Sequence, residues 1–278
     1  MGTRVVTDSA CDLPAHLVEA LGIEVVPLTI RFGSEEFVDQ EELSTPEFWD
    51  RVEHFDGLPE TAAPSPGAFE ARFRHLMERG ANGIVCINLS SHLSGTMQSA
   101  QVAAAAVARD CPVQVIDSQS ASMGQGNLCL TAARRAADGD SLEKIVSEVV
   151  DRRDRTRLYA TLDTLEHIRK SGRIGNARAL LGSMLSIKPI IEIRDGIVEE
   201  VGKVRTRSKA LREVAAKARE SKIEHLAVLH GNAPDLEELL ELLDPIFPRD
   251  EIITGVVGPV IGTHAGPRVI GVSYQVVP

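Results

Sequence analysis

Aromatic residues are scarce. One Trp, two Tyr and seven Phe make up 4% of 278 residues, so an apolar pocket in this chain has to be lined mainly by aliphatic side chains and Met. Cysteine is scarce as well. Cys11, Cys86, Cys111 and Cys129 show no C-x-x-C spacing. That speaks against a zinc site or a disulfide framework and fits free, buried thiols in a reducing compartment. No apolar run reaches the roughly 20 residues that a membrane-crossing helix needs. Residues Met1 to Asp8 lack the apolar core of a secretory signal, and the expected location is the cytoplasm. Basic excess is lacking too: net charge is -10 at pH 7, which disfavours nucleic acid as a partner. No G-x-x-x-x-G-K-[ST] loop occurs, and Gly124-Gln125-Gly126 lacks the third glycine of a dinucleotide fingerprint and does not directly follow a strand.

What is present is globular. Hydrophobic content of 43% with 25% charge supports a packed core, and the length fits one large or two ordinary domains. Up to about residue 155, strand-like and helix-like signals alternate. Short apolar runs at Arg4–Val6, Ile23–Ile30, Val85–Ile87 and Pro112–Ile116 read as strands. Helices are expected from Ser44-Thr45-Pro46-Glu47, from Ser65-Pro66, over Met97–Arg109 and Leu128–Ala137, and after a capping box at Asp140-Ser141-Leu142-Glu143. This order predicts a mostly parallel sheet with flanking helices. Beyond it the texture changes. Strands are expected near Leu158–Leu165, over Ile187–Arg205 with a turn at Asp195-Gly196, at Ile223–Leu229, Glu251–Val257 and Val269–Val277. Helices are expected over Leu165–Lys170, Ser208–Ser221 and Pro234–Leu243, and Gly258–Gly266 reads as a Gly-rich loop. The expected division is an N-terminal α/β domain, 1–155, and a C-terminal α+β domain, 156–278.

Three strands end in an acid or amide followed by serine: Thr7-Asp8-Ser9, Asn88-Leu89-Ser90-Ser91 and Asp117-Ser118. In open α/β sheets ligands bind beyond the carboxyl ends of the strands, so these are site signals, although capping of the following helix explains the same residues. Ser94-Gly95-Thr96 stands where the helix from Met97 begins. Free N–H groups, a glycine that admits close approach and two flanking hydroxyls make an anion cradle. Thr61-Ala62-Ala63-Pro64-Ser65-Pro66 leads into another helix start. His264 is the only titratable residue of the Gly-rich segment; it serves as a donor to an anion or as a loop histidine bonded to backbone. A serine esterase using Ser94 with His264 is the enzymatic alternative, but the G-x-S-x-G elbow is missing. The basic runs Arg169, Lys170, Arg173 and Lys203, Arg205, Arg207, Lys209 read as solvated faces or as a dock for an acidic partner.

Several of these segments together resemble the DegV family: Thr7-Asp8-Ser9-Ala10-Cys11-Asp12-Leu13-Pro14, Pro27-Leu28, Pro64-Ser65-Pro66, Leu93-Ser94-Gly95-Thr96-Met97-Gln98-Ser99-Ala100, Ile116-Asp117-Ser118, Gly172-Arg173-Ile174, Lys188-Pro189-Ile190, Gly202-Lys203-Val204-Arg205 and Gly262-Thr263-His264-Ala265-Gly266-Pro267. The resemblance implies a Rossmann-like DegV fold with a long-chain fatty acid held between two domains. It also implies a non-catalytic role without further cofactor or metal, as the binding subunit of a fatty acid kinase. Such a subunit presents the carboxylate to a separate kinase subunit of the dihydroxyacetone-kinase-like type, which makes acyl phosphate for phospholipid synthesis. Membrane contact would be transient. By motif, Thr61 and Ser94 would hold the carboxylate, Gly95, Thr96 and His264 would complete its surroundings, and Arg173 and Arg205 would lie near the opening or the kinase-facing surface. Another anionic lipid is the alternative cargo. Asn176–Ile191 is the expected tunnel wall. The family often reads Thr-Ser-Gln-Pro-Ser where this chain has Thr61-Ala62-Ala63-Pro64-Ser65, so part of the head-group hydrogen bonding is expected to be missing or water-mediated.

Overall fold

A computed structural model describes residues 2–177 and 187–278. The first half runs β1 (Gly2–Asp8), α1 (Ala15–Leu21), β2 (Glu24–Val26), β3 (Thr29–Phe32), β4 (Glu35–Val38), α2 (Thr45–His54), β5 (Glu60–Ala62), α3 (Pro66–Glu78), β6 (Ala81–Asn88), α4 (Thr96–Val107), β7 (Val113–Asp117), α5 (Ser122–Ala137) and α6 (Leu142–Arg155). The second runs β8 (Thr156–Thr161), α7 (Glu166–Lys170), β9 (Lys188–Arg194), β10 (Ile197–Val204), α8 (Arg207–Arg219), β11 (Ile223–His230), α9 (Leu236–Leu243), β12 (Ile253–Val256), α10 (Pro259–Ala265) and β13 (Ile270–Val276).

Strands β2-β1-β6-β7 form a parallel sheet, as the strand–helix alternation predicts. A small antiparallel sheet, β4-β3-β5, stands beside it. A six-stranded mixed sheet, β10-β9-β8-β13-β11-β12, takes all the strands after Arg155 among the described residues. Its period-2 alternation divides its two faces. Tyr159, Ile190, Val228, Val272 and Tyr274 pack with α8 and α9 through Leu211, Val214, Leu239 and Leu243. Ala160, Ile191, Val198 and Leu229 share a core with Val5, Val85 and Ile87 of the parallel sheet. That second face is the one the functional site uses.

Local signals explain most element boundaries. Ser44 and Glu47 close a reciprocal capping box on α2, and Ser65 caps α3, which buries Phe69, Phe73 and Leu76. Asp195 (φ 50°) and Gly196 (φ 80°) make the β9–β10 turn, with both residues in the left-handed region. Three expectations need correction. The segment Gly258–Gly266 is not an irregular loop: Pro259 occupies the first turn of α10, a position that needs no N–H donor. Helix α5 begins at Ser122, not Leu128; every residue from Ser122 to Ala133 is buried, so the sequence has no amphipathic period to mark its start. On α6 the side chain of Ser141 accepts from Lys144 N, and the cap is a single serine. All four cysteines are free and buried.

Candidate functional site

A cavity lies between the cavity-facing side of the six-stranded sheet and the first half of the chain, with about 210 Å3 open to the centre of a water molecule. Leu158, Ala160, Ile191, Ile193, Leu229 and Gly271 contribute from the sheet, and Ala160 stands in register with both Ile191 and Gly271. Val260 and Ile261 come from α10, Met123 from the start of α5, Leu28 from the turn before β3, and Leu89 and Leu93 from the segment just beyond the carboxyl end of β6. The lining is aliphatic with one Met and one Tyr, as the shortage of aromatics requires. No helix among the described residues is long and apolar enough to cross a membrane, and no cluster of metal-ligand residues occurs among them.

Polar side chains gather at one end. Thr61, Ser94, Gly95, Arg173 and His264 all line the cavity. Thr61, Arg173 and His264 also border an adjoining hollow lined by Glu60, His167 and Lys170, so the polar end is the end that meets that hollow. Residues 203 positions apart are joined there: Thr61 Oγ1 lies 2.9 Å from His264 Nε2. Strand β5 carries Thr61, while α10 carries His264 at its far end. His264 Nδ1 is buried without a hydrogen-bond partner among the described residues. Burial, then the nearby charges of Arg173 and His167, push His264 down to about 4, so the ring is neutral at pH 7 and carries one N–H and one acceptor nitrogen. When Thr61 donates to Nε2, the ring proton sits on Nδ1.

Ser94 and Thr96 are organised around the start of α4. Ser94 Oγ accepts from Thr96 N at 3.3 Å and lies 2.9 Å from Thr96 Oγ1. Thr96 is fully buried and does not line the cavity, so it backs Ser94. Open space stands beside Gly95, where an added Cβ would meet no atom within 4 Å. Arg173 donates from Nε to Leu93 O at 3.2 Å and from Nη1 to Ser171 O at 2.6 Å. It has no acidic partner among the described residues, so its charge remains uncompensated at the polar end. Arg205 is elsewhere: it is exposed on the bend between β10 and α8 and is not part of the lining.

Ala63, one of the two alanines of the altered Thr61–Ser65 stretch, lines the cavity and offers it a methyl group. Ser122, Met123 and Ser273 line the cavity without having been singled out from sequence. The Asp117-Ser118 strand end, just ahead of α5, is the signal that could have led to the first two. The strand-end acids bond within their own sheet edge instead of facing the cavity. Asp8 accepts from Asn88 Nδ2, Leu89 N and Ala10 N, and Asp117 accepts from Ser91 and Gln119. They brace the loops at the sheet edge and leave the cavity surface to their neighbours. Of the expected tunnel wall at Asn176–Ile191, residues 178–186 lie outside the described residues, and Ile191 lines the cavity.

Comparison with known proteins adds the family. The family model for the uncharacterised DegV proteins matches residues 3–276. A DegV domain-containing protein of Listeria innocua is 36% identical over 279 residues, covering 98% of each chain. A DegV family protein from Thermus thermophilus, described for its fatty acid binding, has 33% identity and a TM-score of 0.90 over 100% of both chains. DegV of Bacillus subtilis, described as a fatty acid binding protein, has 30% identity and a TM-score of 0.83, covering 100% of both chains. With the match running nearly end to end and the parallel sheet, the mixed sheet and the intervening cavity in place, the chain belongs to the DegV family.

Proposed function

We propose that this protein binds a long-chain fatty acid with its carboxylate at the polar end of the cavity and its acyl chain along the aliphatic lining. The observation that carries the reading is the one-sided chemistry of the cavity: mainly aliphatic on its sheet face, with Thr61, Ser94 and His264 together at one end. A carboxylate there gains charge-assisted hydrogen bonds, and each buried methylene contributes about 0.8 kcal/mol before ordering costs. Ser94 would donate directly, and of the Thr61–His264 pair, which shares one proton in its own hydrogen bond, one member would donate as well. Gly95 would admit the oxygens to the α4 N-terminus, Thr96 would hold Ser94, and Arg173 would supply long-range attraction. The fatty acid binding described for the Thermus and Bacillus relatives supports the same cargo.

Within this reading, residues 1–155 and 156–278 act as two domains closed over the ligand, the protein works in the cytoplasm, and it is a carrier without chemistry of its own. It presents the carboxylate to a separate kinase subunit for acyl-phosphate formation, with Arg205 and the other exposed basic residues near β10 as the docking face. The lack of a G-x-x-x-x-G-K-[ST] loop in the sequence is in keeping with a partner-supplied nucleotide. Hydrogen bonding weighs against the esterase alternative: the partners are Ser94 with Thr96 and His264 with Thr61, and no acid orients His264 Nδ1 among the described residues. Mass spectrometry of an organic extract from untreated purified protein, beside an intact native mass, tests the cargo. One equivalent of a long-chain fatty acid is expected; empty protein that also refuses added fatty acid would remove the assignment.

A further inference from the structure

Asp12 lies outside the cavity, in the segment between β1 and α1, with φ 51° in the left-handed region. Its carboxyl group joins two pieces of the cavity wall. Oδ2 lies 2.6 Å from Ser122 Oγ at the start of α5, and Oδ1 accepts from Gly258 N at 3.0 Å, the residue that begins α10. Ser122, itself at φ 50°, lines the cavity, and Val257 and Val260 flank Gly258 in the lining. On its other side Asp12, with Ser9, Gln40 and Gly258, borders a separate wide groove. This carboxyl group therefore ties together two elements of the partition between cavity and groove, beside the Trp49 Nε1 bond to Val257 O. His264 stands at the opposite end of α10, six residues and about 9 Å from Gly258. We propose that Asp12 is a positioning residue that clamps α5 to α10 and so slows release of the bound chain.

The inference rests on the fatty-acid reading for its ligand, and on the geometry alone for the clamp. The ionisable groups facing Asp12 are Asp39 and Asp8, both carboxyls, and the Cys11 thiol. Arg4, Glu19, Glu24 and Arg79 border the same groove without an ion pair to Asp12 among the described residues. Burial raises Asp12 to about 7, against the hydrogen bonds from Ser122 and Gly258. Both arms run to the carboxyl oxygens, Ser122 Oγ donating to Oδ2 and Gly258 N donating to Oδ1.

The test is the dissociation rate of a fluorescent C16 fatty acid from parent, Asp12→Asn and Asp12→Ala proteins at one pH. An Asn amide keeps both arms, accepting from Gly258 N and donating to Ser122 Oγ. Expected are near-parent release in Asp12→Asn and release about tenfold faster in Asp12→Ala. Ser122→Ala, which removes one arm, should be intermediate, and it carries the test if Asp12→Ala does not fold. Parent-like rates in Asp12→Ala or Ser122→Ala would overturn the clamp. Failure of the parent to bind the probe at all would instead overturn the fatty-acid reading. Amide exchange in the first turns of α5 and α10, faster in Asp12→Ala and parent-like in Asp12→Asn, then tests the clamp without ligand.

Discussion

Ser94 takes a backbone N–H of α4 and the Thr96 hydroxyl as neighbours, so its geometry is set before any ligand arrives. Ser94→Ala should raise the fatty-acid dissociation constant roughly tenfold in a delipidated rebinding assay, because a buried carboxylate oxygen loses a donor; equal retention would remove Ser94 from the head-group site. His264 makes a second prediction. Its pKa is held at about 4 by burial and by the adjacent charges of Arg173 and His167. An incoming carboxylate favours the imidazolium, so binding should take up protons and tighten as pH falls from about 7 toward 5. In His264→Gln that part of the pH dependence should vanish in calorimetric titrations repeated in buffers of different ionisation enthalpy. Both residues were legible as polar residues in hydroxyl- or Gly-rich stretches. Their meeting was not, since the Thr61–His264 bond spans 203 positions and only the fold of the whole chain sets that pairing.

At the scale of elements, α10 is the piece that connects head group, wall and core. Gly262 is needed there for closeness: a Cβ would stand 2.6 Å from Phe48 Cε1 and 2.8 Å from Trp49 Cζ2, both on α2. Gly262→Ala should therefore cost about 1–3 kcal/mol in urea unfolding by overpacking and should weaken ligand binding by displacing His264. An unchanged midpoint with unchanged affinity would show that α10 tolerates the shift. The same glycine explains why α10 reads as a loop in sequence. Three glycines and two prolines in ten residues look like breakers, but here Gly258 begins the helix, Gly262 packs against aromatics and Gly266, at φ 79°, ends it. The parallel strands were legible as short apolar runs, such as Val85–Ile87, buried on both faces, and amphipathic helices such as α3 and α8 because one face is wet. Helix α5 was legible only from Leu128 because its first three turns are buried all round.

For the whole molecule, buried ionisable groups set opposing pH dependences. Burial raises Asp12 to about 7 and Asp39 to about 6. Between pH 4 and those values the folded state holds more protons than the unfolded, so each of these acids lowers stability as pH rises through that window. His264, depressed to about 4, acts in reverse: its contribution is lost as pH falls from about 6.5 through 4. Asp12→Asn removes one acid from this balance. Its stability relative to the parent should rise between pH 5 and 7 and level off above, measured by denaturant unfolding at each pH; a constant difference would mean Asp12 ionises normally.

Trp49 is the chain's one tryptophan. It donates from Nε1 to Val257 O at 2.9 Å, and its ring lies against Gly262 and Gly231. Val257 lines the cavity. The protein thus carries a single tryptophan hydrogen-bonded to the cavity wall yet separated from any ligand by backbone. Loading or emptying the cavity should change the emission maximum or lifetime under 295 nm excitation with no label attached. Occupancy could then be followed in stopped flow on unmodified protein, with each quantum of signal coming from one known ring.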